Sequence, residues 1–275
     1  MTRTRLAVLG SPIAHSLSPI LHGAAYGVLG LDWEYEAIEL VGTELAAFVA
    51  SRDTTWRGLS LTMPLKRDIL TLLSTQSELV NESGSANTVL FDRGQLHGYN
   101  TDVYGITEAF ARHGRRTLGT VLILGAGATA ASALVAARQL GVTKAFLGVR
   151  SPPRATELAK LGRSQGIDVM VRTLEHLIEL DEPLDAVIST VPNGAAVEVR
   201  LDADVVREAA LFDVAYSPWP TPLAASWPGD EVIGGLEMLV LQALAQVRIF
   251  VDRDLHGILD GEPEVLAAML ASVGL

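Results

Sequence analysis

The chain of 275 residues contains no cysteine. This absence excludes a disulfide framework, a thiolate nucleophile and a zinc site built from cysteines. Lysine is scarce as well, since three lysines stand against eighteen arginines. A lysine just beyond the end of a strand is therefore a candidate chemical group, because its pKa shifts readily and arginine cannot replace it in proton transfer.

Basic residues are fewer than acidic residues, with 21 Lys and Arg against 32 Asp and Glu. The formal net charge is −11 and the sequence pI is about 5.0, which argues against nucleic acid or an anionic membrane as a partner. One apolar segment, residues 236–251, resembles a membrane span but is too short and is interrupted by polar side chains. We expect it to form a buried helix. The first residues lead directly into a strand with no signal peptide, so we expect a cytoplasmic protein.

Metal-ligand spacing, internal repeats and low-complexity tracts are also missing. Five histidines have no spacing typical of metal ligands, so no metal site is predicted; they are His22, His97, His113, His176 and His256. The length suits two domains with substantial cores, and 49% hydrophobic with 19% charged residues is ordinary for an α/β protein.

The clearest motif is a strand, a glycine turn and a helix start at residues 120–130. Residues 120–124 are a short apolar run, typical of a parallel strand buried on both faces. A G-x-G pair and an alanine-rich helical pattern follow, and such a helix N-terminus binds the pyrophosphate of a dinucleotide. The alternative is a turn that needs glycine only for its dihedral angles. The predicted cofactor contacts are Gly125, Ala126, Gly127, Ala128, Thr129 and Ala130.

The end of the next predicted strand, residues 144–149, indicates which dinucleotide binds. A cofactor without a 2′-phosphate usually meets an Asp or Glu there. This chain instead has Arg150, Ser151 and Arg154, and guanidinium groups match phosphate in charge and geometry. The position predicts NADP(H), although a solvated arginine-rich turn is the structural alternative.

Hydroxyl groups follow the first predicted strand, residues 6–9. Ser16 and Ser18 could bind an anion in this turn. Ser18 is better explained as the N-cap of a helix that begins with Pro19. Ser16 has no evident structural role.

Polar side chains also mark the ends of further predicted strands, where open α/β sheets collect their ligands. Thr62, Lys66, Asn87 and Asp102 occupy such places. Two structural alternatives remain at this stage: Lys66 could be an ordinary solvated lysine, and Asp102 could simply cap the helix that follows it.

In the second half of the chain, strands near 169–171, 185–189 and 211–214 alternate with helices, as in a doubly wound sheet. Ser189, Thr190 and Val191 follow the fourth strand of this sheet and should lie beside the cofactor. Residues 216–222 contain three prolines and predict a stiff loop without helix. Gly235 precedes the long apolar helix.

Together these motifs resemble those of the shikimate dehydrogenase family, over nearly the full chain and in the same order. Each motif is weak alone, whereas eight in order are highly specific. They are GSPIAHSLSP at 10–19, TMPLK at 62–66, GSANT at 84–88, NTD at 100–102, GAGATA at 125–130, STVP at 189–192, YSPWPTP at 216–222 and GLEMLVLQ at 235–242.

The resemblance implies an α/β fold with two domains. Residues 1–102 with 237–275 would form the substrate-binding catalytic domain around a mixed or mainly parallel sheet. Residues 103–236 would form a Rossmann-type NADP-binding domain. Lys66 and Asp102 would be the catalytic pair. Six side chains would hold the substrate: Ser16 and Ser18 its carboxylate, and Thr62, Asn87, Tyr216 and Gln242 its ring hydroxyls and carboxylate.

The resemblance also implies the reaction, in which NADPH reduces 3-dehydroshikimate reversibly to shikimate on the route to chorismate and the aromatic amino acids. Hydride addition to a ketone places negative charge on its oxygen, so a proton donor such as Lys66 must lie beside it. Two other functions stay open: the same chemistry with quinate or a related cyclitol acid as main substrate, and a ligand sensor without turnover. The predicted partner is a small molecule, and a homodimer and a monomer both remain open.

Overall fold

The computed structural model describes residues 3–192, 199–229 and 231–275. The chain divides into two compact units, which we call unit 1 (Met1–Gly105 with Val240–Leu275) and unit 2 (Ile106–Leu239). In chain order the elements are β1 (Thr4–Gly10), α1 (Ser18–Val28), β2 (Trp33–Glu39), α2 (Gly42–Ala50), β3 (Trp56–Leu61), β4 (Thr75–Gln76), α3 (Glu78–Ser83), β5 (Thr88–Asp92), β6 (Gln95–Tyr99), α4 (Asp102–Arg112), β7 (Thr120–Leu124), α5 (Ala128–Gln139), β8 (Lys144–Val149), α6 (Thr156–Ser164), β9 (Asp168–Thr173), β10 (Ala186–Ser189), α7 (Ala203–Val206), β11 (Ala210–Asp213), α8 (Pro222–Ala225), β12 (Val232–Gly234), α9 (Gly235–Asp252) and α10 (Glu262–Ser272).

Unit 1 is built on a mixed six-stranded sheet with the order β2-β1-β3-β5-β6-β4. β1 pairs in parallel with β2 and β3, whereas β5 runs antiparallel to both β3 and β6. The register places Ser60 opposite Thr88, and Thr88 opposite Tyr99. The end of β3, the start of β5 and the end of β6 therefore meet at one sheet edge.

The core of unit 1 lies against this sheet. Its buried side chains come from β1, β3, β5 and α2, and include Leu9, Leu45, Leu59, Leu65 and Val89. The part of α9 that belongs to unit 1 is mostly buried, with Val240, Ala243, Val247 and Phe250 all fully buried. The predicted buried helix at 236–251 is therefore confirmed.

Unit 2 is built on a parallel six-stranded sheet with the order β12-β11-β10-β7-β8-β9. The chain starts at the central β7, adds β8 and β9 on one side, and then returns to add β10, β11 and β12 on the other. This is the strand order of the dinucleotide-binding fold, in which ligands bind where the order reverses. The predicted fold class is confirmed: one mixed sheet, and one Rossmann-type parallel sheet.

Several local predictions differ from the structure. β4 and β12 were not predicted, because two or three residues are too few to show an alternating pattern. In the described residues, the link after β9 contains a 3₁₀ helix, Leu174–Glu179, and the link after β10 contains the four-residue α7, where longer helices were expected. Pro222 does not continue the stiff loop but begins α8, where Thr221 is the N-cap and accepts a hydrogen bond from the backbone N–H of Ala224. Within the described ranges, no helix is both long and apolar enough to cross a membrane.

Candidate active site

Lys66 and Asp102 form a nearly buried ion pair in unit 1. Lys66 Nζ donates to Asp102 Oδ2 at 2.6 Å, and the two side chains are 13% and 6% exposed. Asp102 is the first residue of α4, where the helix dipole stabilises a carboxylate. The interpretation of Lys66 as an ordinary solvated lysine is therefore wrong, and the Asp102 carboxylate does more than begin a helix.

Asn87 supplies the second hydrogen bond to this carboxylate. Its Nδ2 donates to Asp102 Oδ1 at 2.8 Å, so each carboxylate oxygen accepts one hydrogen bond from a side chain. The same Nδ2 lies 2.8 Å from Thr101 Oγ1 and 3.3 Å from Gln242 Oε1. Asn87 precedes β5 rather than following a strand, and it reaches this edge only because β5 runs antiparallel to β3. Four of the predicted residues, Lys66, Asn87, Asp102 and Gln242, are thus brought together.

Thr62 lies on the segment that follows β3, beside the turn after β1. Its backbone N–H donates to Leu9 O at 2.9 Å, and its side chain is partly exposed. Gly10 must be glycine, because a Cβ there would overlap the Thr62 methyl group and lie 2.9 Å from Met63 O. This close approach holds the two turns against each other.

The structure changes the roles of the two serines after β1. α1 begins at Ser18, its N-cap is Leu17, and no side chain caps it, so the interpretation of Ser18 as N-cap is wrong. Ser16, for which no structural role was expected, accepts a hydrogen bond from Ser18 N–H at 3.3 Å. Ser18 is buried, whereas Ser16 is partly exposed.

Beneath these serines is a buried polar cluster. The His22 ring stacks on the Tyr35 ring at a centroid distance of 4.0 Å. Burial lowers the pKa of His22 to about 3, although the hydrogen bond that the ring makes to the Gln246 amide oxygen opposes the shift. Burial raises the pKa of Tyr35 well above its ordinary value, although its hydrogen bond with Ser60 and the nearby Ser18 hydroxyl oppose the rise. Both rings are therefore neutral at physiological pH.

In unit 2, the turn between β7 and α5 has the form that a pyrophosphate requires. Gly125 has φ +110°, and a Cβ there would lie 2.5 Å from Thr190 Oγ1, so glycine is needed for the protein itself. Gly127 has φ −83°, which any residue adopts, and a Cβ there would meet nothing within 4 Å. Dihedral angles alone therefore explain Gly125 but not Gly127.

The start of α5 is also open to an anion. No side chain caps it, and the first amides of a helix have no partner within the helix. These donors belong to Ala128, Thr129 and Ala130, which follow the Gly125-Ala126-Gly127 turn. Ala130 is fully buried, so a small side chain is needed where α5 packs on the sheet. The residues present fit the pyrophosphate of a dinucleotide.

The arginine turn lies directly after β8, the neighbour of β7. Arg150 and Arg154 are exposed, and Ser151 is partly buried. Neither guanidinium pairs with a carboxylate in the part of the chain that the structure describes. Two unpaired cations at the end of the second strand fit the 2′-phosphate of NADP(H).

The remaining predicted residues of unit 2 surround other strand ends. Ser189 is buried at the end of β10, and Thr190 Oγ1 donates to Leu124 O at 2.7 Å, which ties β10 to β7. Val191, the next residue, is partly buried. Tyr216 is partly buried, and this burial raises the pKa of its hydroxyl. Gly235 has a structural reason to be glycine, because a Cβ there would overlap the Val214 backbone.

Sequence reasoning missed three polar residues of unit 1. Thr101 bonds to Asn87 through both its backbone N–H and its hydroxyl. Asn100 Oδ1 accepts a hydrogen bond from Asp102 N–H at 3.0 Å. Gln246 bonds to Thr88 and Ser60. Gln246 carried a usable signal, since an amide inside an apolar helix must find buried partners. Among the described residues no cluster of His, Asp and Glu could hold a metal ion.

Comparison with known proteins identifies the family. A model described as "Shikimate dehydrogenase substrate binding domain" matches residues 8–89. The shikimate dehydrogenase (NADP(+)) of Ignicoccus hospitalis is 32% identical over 255 residues, which are 89% of this chain and 92% of that protein. Pentafunctional AROM polypeptides match too, as in Eremothecium gossypii with 31% identity, but this chain spans only 17% of that polypeptide.

Solved structures agree over the whole length. The shikimate dehydrogenase of Mycobacterium tuberculosis has a TM-score of 0.82 and 34% identity, with 98% of this chain and 99% of that chain covered. The Thermus thermophilus enzyme, solved with NADP(H) and shikimate, has a TM-score of 0.81 and 30% identity, with 98% and 99% covered. The strand orders, the Lys66–Asp102 pair and these similarities lead to one conclusion: the chain belongs to the shikimate dehydrogenase family.

Proposed function

We propose that the chain is an NADP-dependent oxidoreductase that interconverts 3-dehydroshikimate and shikimate. The observation that carries this proposal is the nearly buried Lys66–Asp102 pair, with Asn87 on the second carboxylate oxygen. A ligand sensor needs affinity alone, whereas this pair is suited to proton transfer at a reacting carbonyl. Unit 1, whose bounds differ by three residues from the predicted substrate-binding domain, would bind the substrate, and unit 2 would bind NADP(H).

In this function Lys66 is the general acid and base. When bound, NADPH supplies the hydride that reduces the carbonyl carbon. The Lys66 ammonium gives a proton to the carbonyl oxygen as negative charge develops there, and takes one back from the alcohol in the reverse direction. Asp102 compensates the ammonium charge and fixes the position of Nζ through the 2.6 Å hydrogen bond.

The substrate would be held by neutral polar groups of unit 1. Ser16 and Ser18 would donate to its carboxylate, and Thr62, Asn87 and Gln242 would bind its ring oxygens. Ser16 is the more available of the two serines, because it is partly exposed whereas Ser18 is buried beside Tyr35.

The cofactor would be held by the turn and helix start at residues 125–130, with Arg150, Ser151 and Arg154 at the 2′-phosphate. Ser189, Thr190, Val191 and Gly235 would contribute at the neighbouring strand ends. Two guanidiniums that have no carboxylate partner among the described residues favour a cofactor that carries an extra phosphate.

The test measures absorbance of the reduced nicotinamide with purified protein. Shikimate and quinate are each supplied with NADP⁺ and with NAD⁺, and 3-dehydroshikimate with NADPH. We expect the highest kcat/KM for shikimate with NADP⁺. A higher kcat/KM for quinate than for shikimate would make the cyclitol acid the main substrate. No turnover with any pair of substrate and cofactor would refute the proposed enzymatic activity.

A charge variant tests the cofactor contact separately. Arg150→Ala should weaken NADP(H) roughly 10- to 100-fold, the loss of one charge-assisted hydrogen bond, and leave NAD(H) almost unchanged. Arg116→Ala is the matched control, since it removes an exposed arginine of the same unit that precedes the start of β7, whereas Arg150 follows the end of the parallel neighbour β8. Equal losses in the two variants would mean that general electrostatic attraction, and not a contact at this turn, holds the phosphate.

A further inference from the structure

A continuous set of buried hydrogen bonds connects α9 with Asp102 in unit 1. Gln246 is 2% exposed and Thr88 is fully buried. Gln246 Nε2 donates to Thr88 Oγ1 at 3.0 Å, and Thr88 Oγ1 donates to Asn87 Oδ1 at 2.8 Å. Asn87 in turn donates to Asp102 Oδ1 at 2.8 Å. We call Gln246, Thr88 and Asn87 the orienting chain.

The direction of the Gln246 amide is set by a backbone carbonyl, which can act only as an acceptor. Its Nε2 lies 3.3 Å from the backbone carbonyl of Asn87, which can only accept. Its Oε1 accepts from the Ser60 hydroxyl at 2.9 Å, and the Ser60 oxygen accepts from the Tyr35 hydroxyl at 2.6 Å. His22 agrees with this arrangement: the neutral ring donates from Nε2 to Gln246 Oε1 at 3.2 Å.

The direction of the Thr88 hydroxyl follows from that of Gln246. Because its oxygen accepts a hydrogen from Gln246, its own hydrogen is free to point to Asn87 Oδ1. The backbone N–H of Thr101 donates to the same Oδ1 at 2.8 Å. With two donors on Oδ1, the amide group of Asn87 must present its Nδ2 to Asp102.

The opposite orientation of Asn87 would damage the catalytic pair. An amide oxygen would then face the Asp102 carboxylate, and an NH₂ group would face two donors. Thr88 supplies one of the two hydrogen bonds that prevent this, and Thr101 supplies the other from the backbone. Thr88 therefore holds the Asn87 amide oxygen through its side chain, and Thr101 holds it through the backbone.

We propose that Thr88, directed by Gln246, is a positioning residue that acts through Asn87 to hold Asp102 and Lys66 in their catalytic geometry. This inference rests on the proposed function and adds a residue to its machinery. Thr88 touches neither Lys66 nor Asp102 directly, so its effect passes through the Asn87 amide.

The test replaces the Thr88 hydroxyl with a methyl group of the same size. Thr88→Val keeps the β-branched shape that suits β5 and leaves Asn87 with one donor on Oδ1. We expect kcat with shikimate and NADP⁺ to fall about 3- to 10-fold, the range for one net hydrogen bond. KM for shikimate should change less than twofold, because the other substrate contacts remain.

Thr88→Ser is the matched control, since it keeps the hydroxyl and loses the methyl group. It should recover most of the wild-type kcat, although its side chain packs less well. If Thr88 had a purely structural role, Thr88→Val would be the more active and more stable variant and Thr88→Ser the less active one. The methyl group, and not the hydroxyl, would then matter for both properties.

The outcomes are distinct. A wild-type protein without shikimate turnover refutes the proposed function itself. An active wild type with unchanged kcat in Thr88→Val, or equal losses in Thr88→Val and Thr88→Ser, overturns the positioning role alone. A Thr88→Val protein that fails to fold, as measured by thermal unfolding, assigns the hydroxyl to stability and also overturns it.

Discussion

Removing one charge of the Lys66–Asp102 pair should reduce both stability and activity, whereas removing both charges should restore stability but not activity. The side chains are 13% and 6% exposed and their atoms are 2.6 Å apart. Loss of one partner from such a pair leaves an uncompensated charge, which typically costs about 3–5 kcal/mol. The loss of unfolding free energy in Lys66→Met should lie near the lower of these values. Asn87 still donates to the Asp102 carboxylate, and the helix dipole at the start of α4 stabilises the negative charge.

The double variant Lys66→Met with Asp102→Asn has no charge left to compensate. Replacing a buried ion pair by neutral side chains of similar volume is often neutral or stabilising. We therefore expect the double variant to unfold within about 1 kcal/mol of the wild type, although each single variant is clearly less stable. If each single variant loses about 3 kcal/mol and the double variant at most about 1 kcal/mol, the double-mutant cycle should give a coupling free energy of about 5 kcal/mol or more.

Activity should behave differently. A positioned general acid contributes about 10²–10⁴ in rate, so Lys66→Met should lose that much kcat while the affinity for NADPH survives. Asp102→Asn should lose activity too, because the ammonium is no longer held. Residues that act as one unit give non-additive losses, and the double variant should be hardly worse than the poorer single one.

The assays are kcat from nicotinamide absorbance, Kd for NADPH from fluorescence, and urea unfolding for all four proteins. Two results would refute the reasoning. If the two losses in kcat multiply, the residues do not act together. If the two stability losses add in the double variant, the charges are not coupled across the 2.6 Å contact.

Three further predictions use the same measurements. Gly127→Ala should keep the wild-type melting temperature and weaken NADPH binding, whereas Gly125→Ala should lower the melting temperature; equal effects would refute the separate roles. Ser16→Ala should raise KM for shikimate with little loss of stability, and an unchanged KM would limit Ser16 to its bond with Ser18. The folded state keeps His22 neutral down to its pKa of about 3, whereas in the unfolded chain the ring is protonated below its ordinary pKa of 6.5. Lowering the pH from 6.5 to 3 should therefore reduce the free energy of unfolding. This residue should contribute up to about 1.4 kcal/mol per pH unit. Denaturation at several pH values should show a flatter slope in His22→Asn, and an unaltered slope would contradict the assignment.

Local sequence patterns were sufficient to predict the structure where a motif lies within one short stretch of chain. The apolar run of β7, the two glycines and the alanine-rich start of α5 are continuous, so the strand–turn–helix could be predicted directly. The arginines after β8 could be predicted in the same way, because their distance along the chain from the glycines has a fixed meaning in a βαβ unit.

Local patterns misled where a side chain has both a near and a distant partner. Ser18 precedes a proline at a helix start, which is typical of an N-cap, yet the structure uses Leu17 as N-cap and turns Ser18 toward Tyr35. Capping preferences describe nearby amides only. They contain no information on an aromatic residue that arrives from the next strand.

The sequence by itself determined the fold class, the cofactor turn and the residue types of the catalytic pair, because periodicity and turn chemistry are local properties. Only the tertiary structure decided how these residues meet. Lys66 and Asp102 are 36 positions apart, and Gln246 reaches Thr88 across 158 positions. The antiparallel direction of β5 brings Asn87 to the same edge as the ends of β3 and β6. Hydrogen-bond direction depends on all partners at once, and those partners are assembled only when the sheet and α9 pack together.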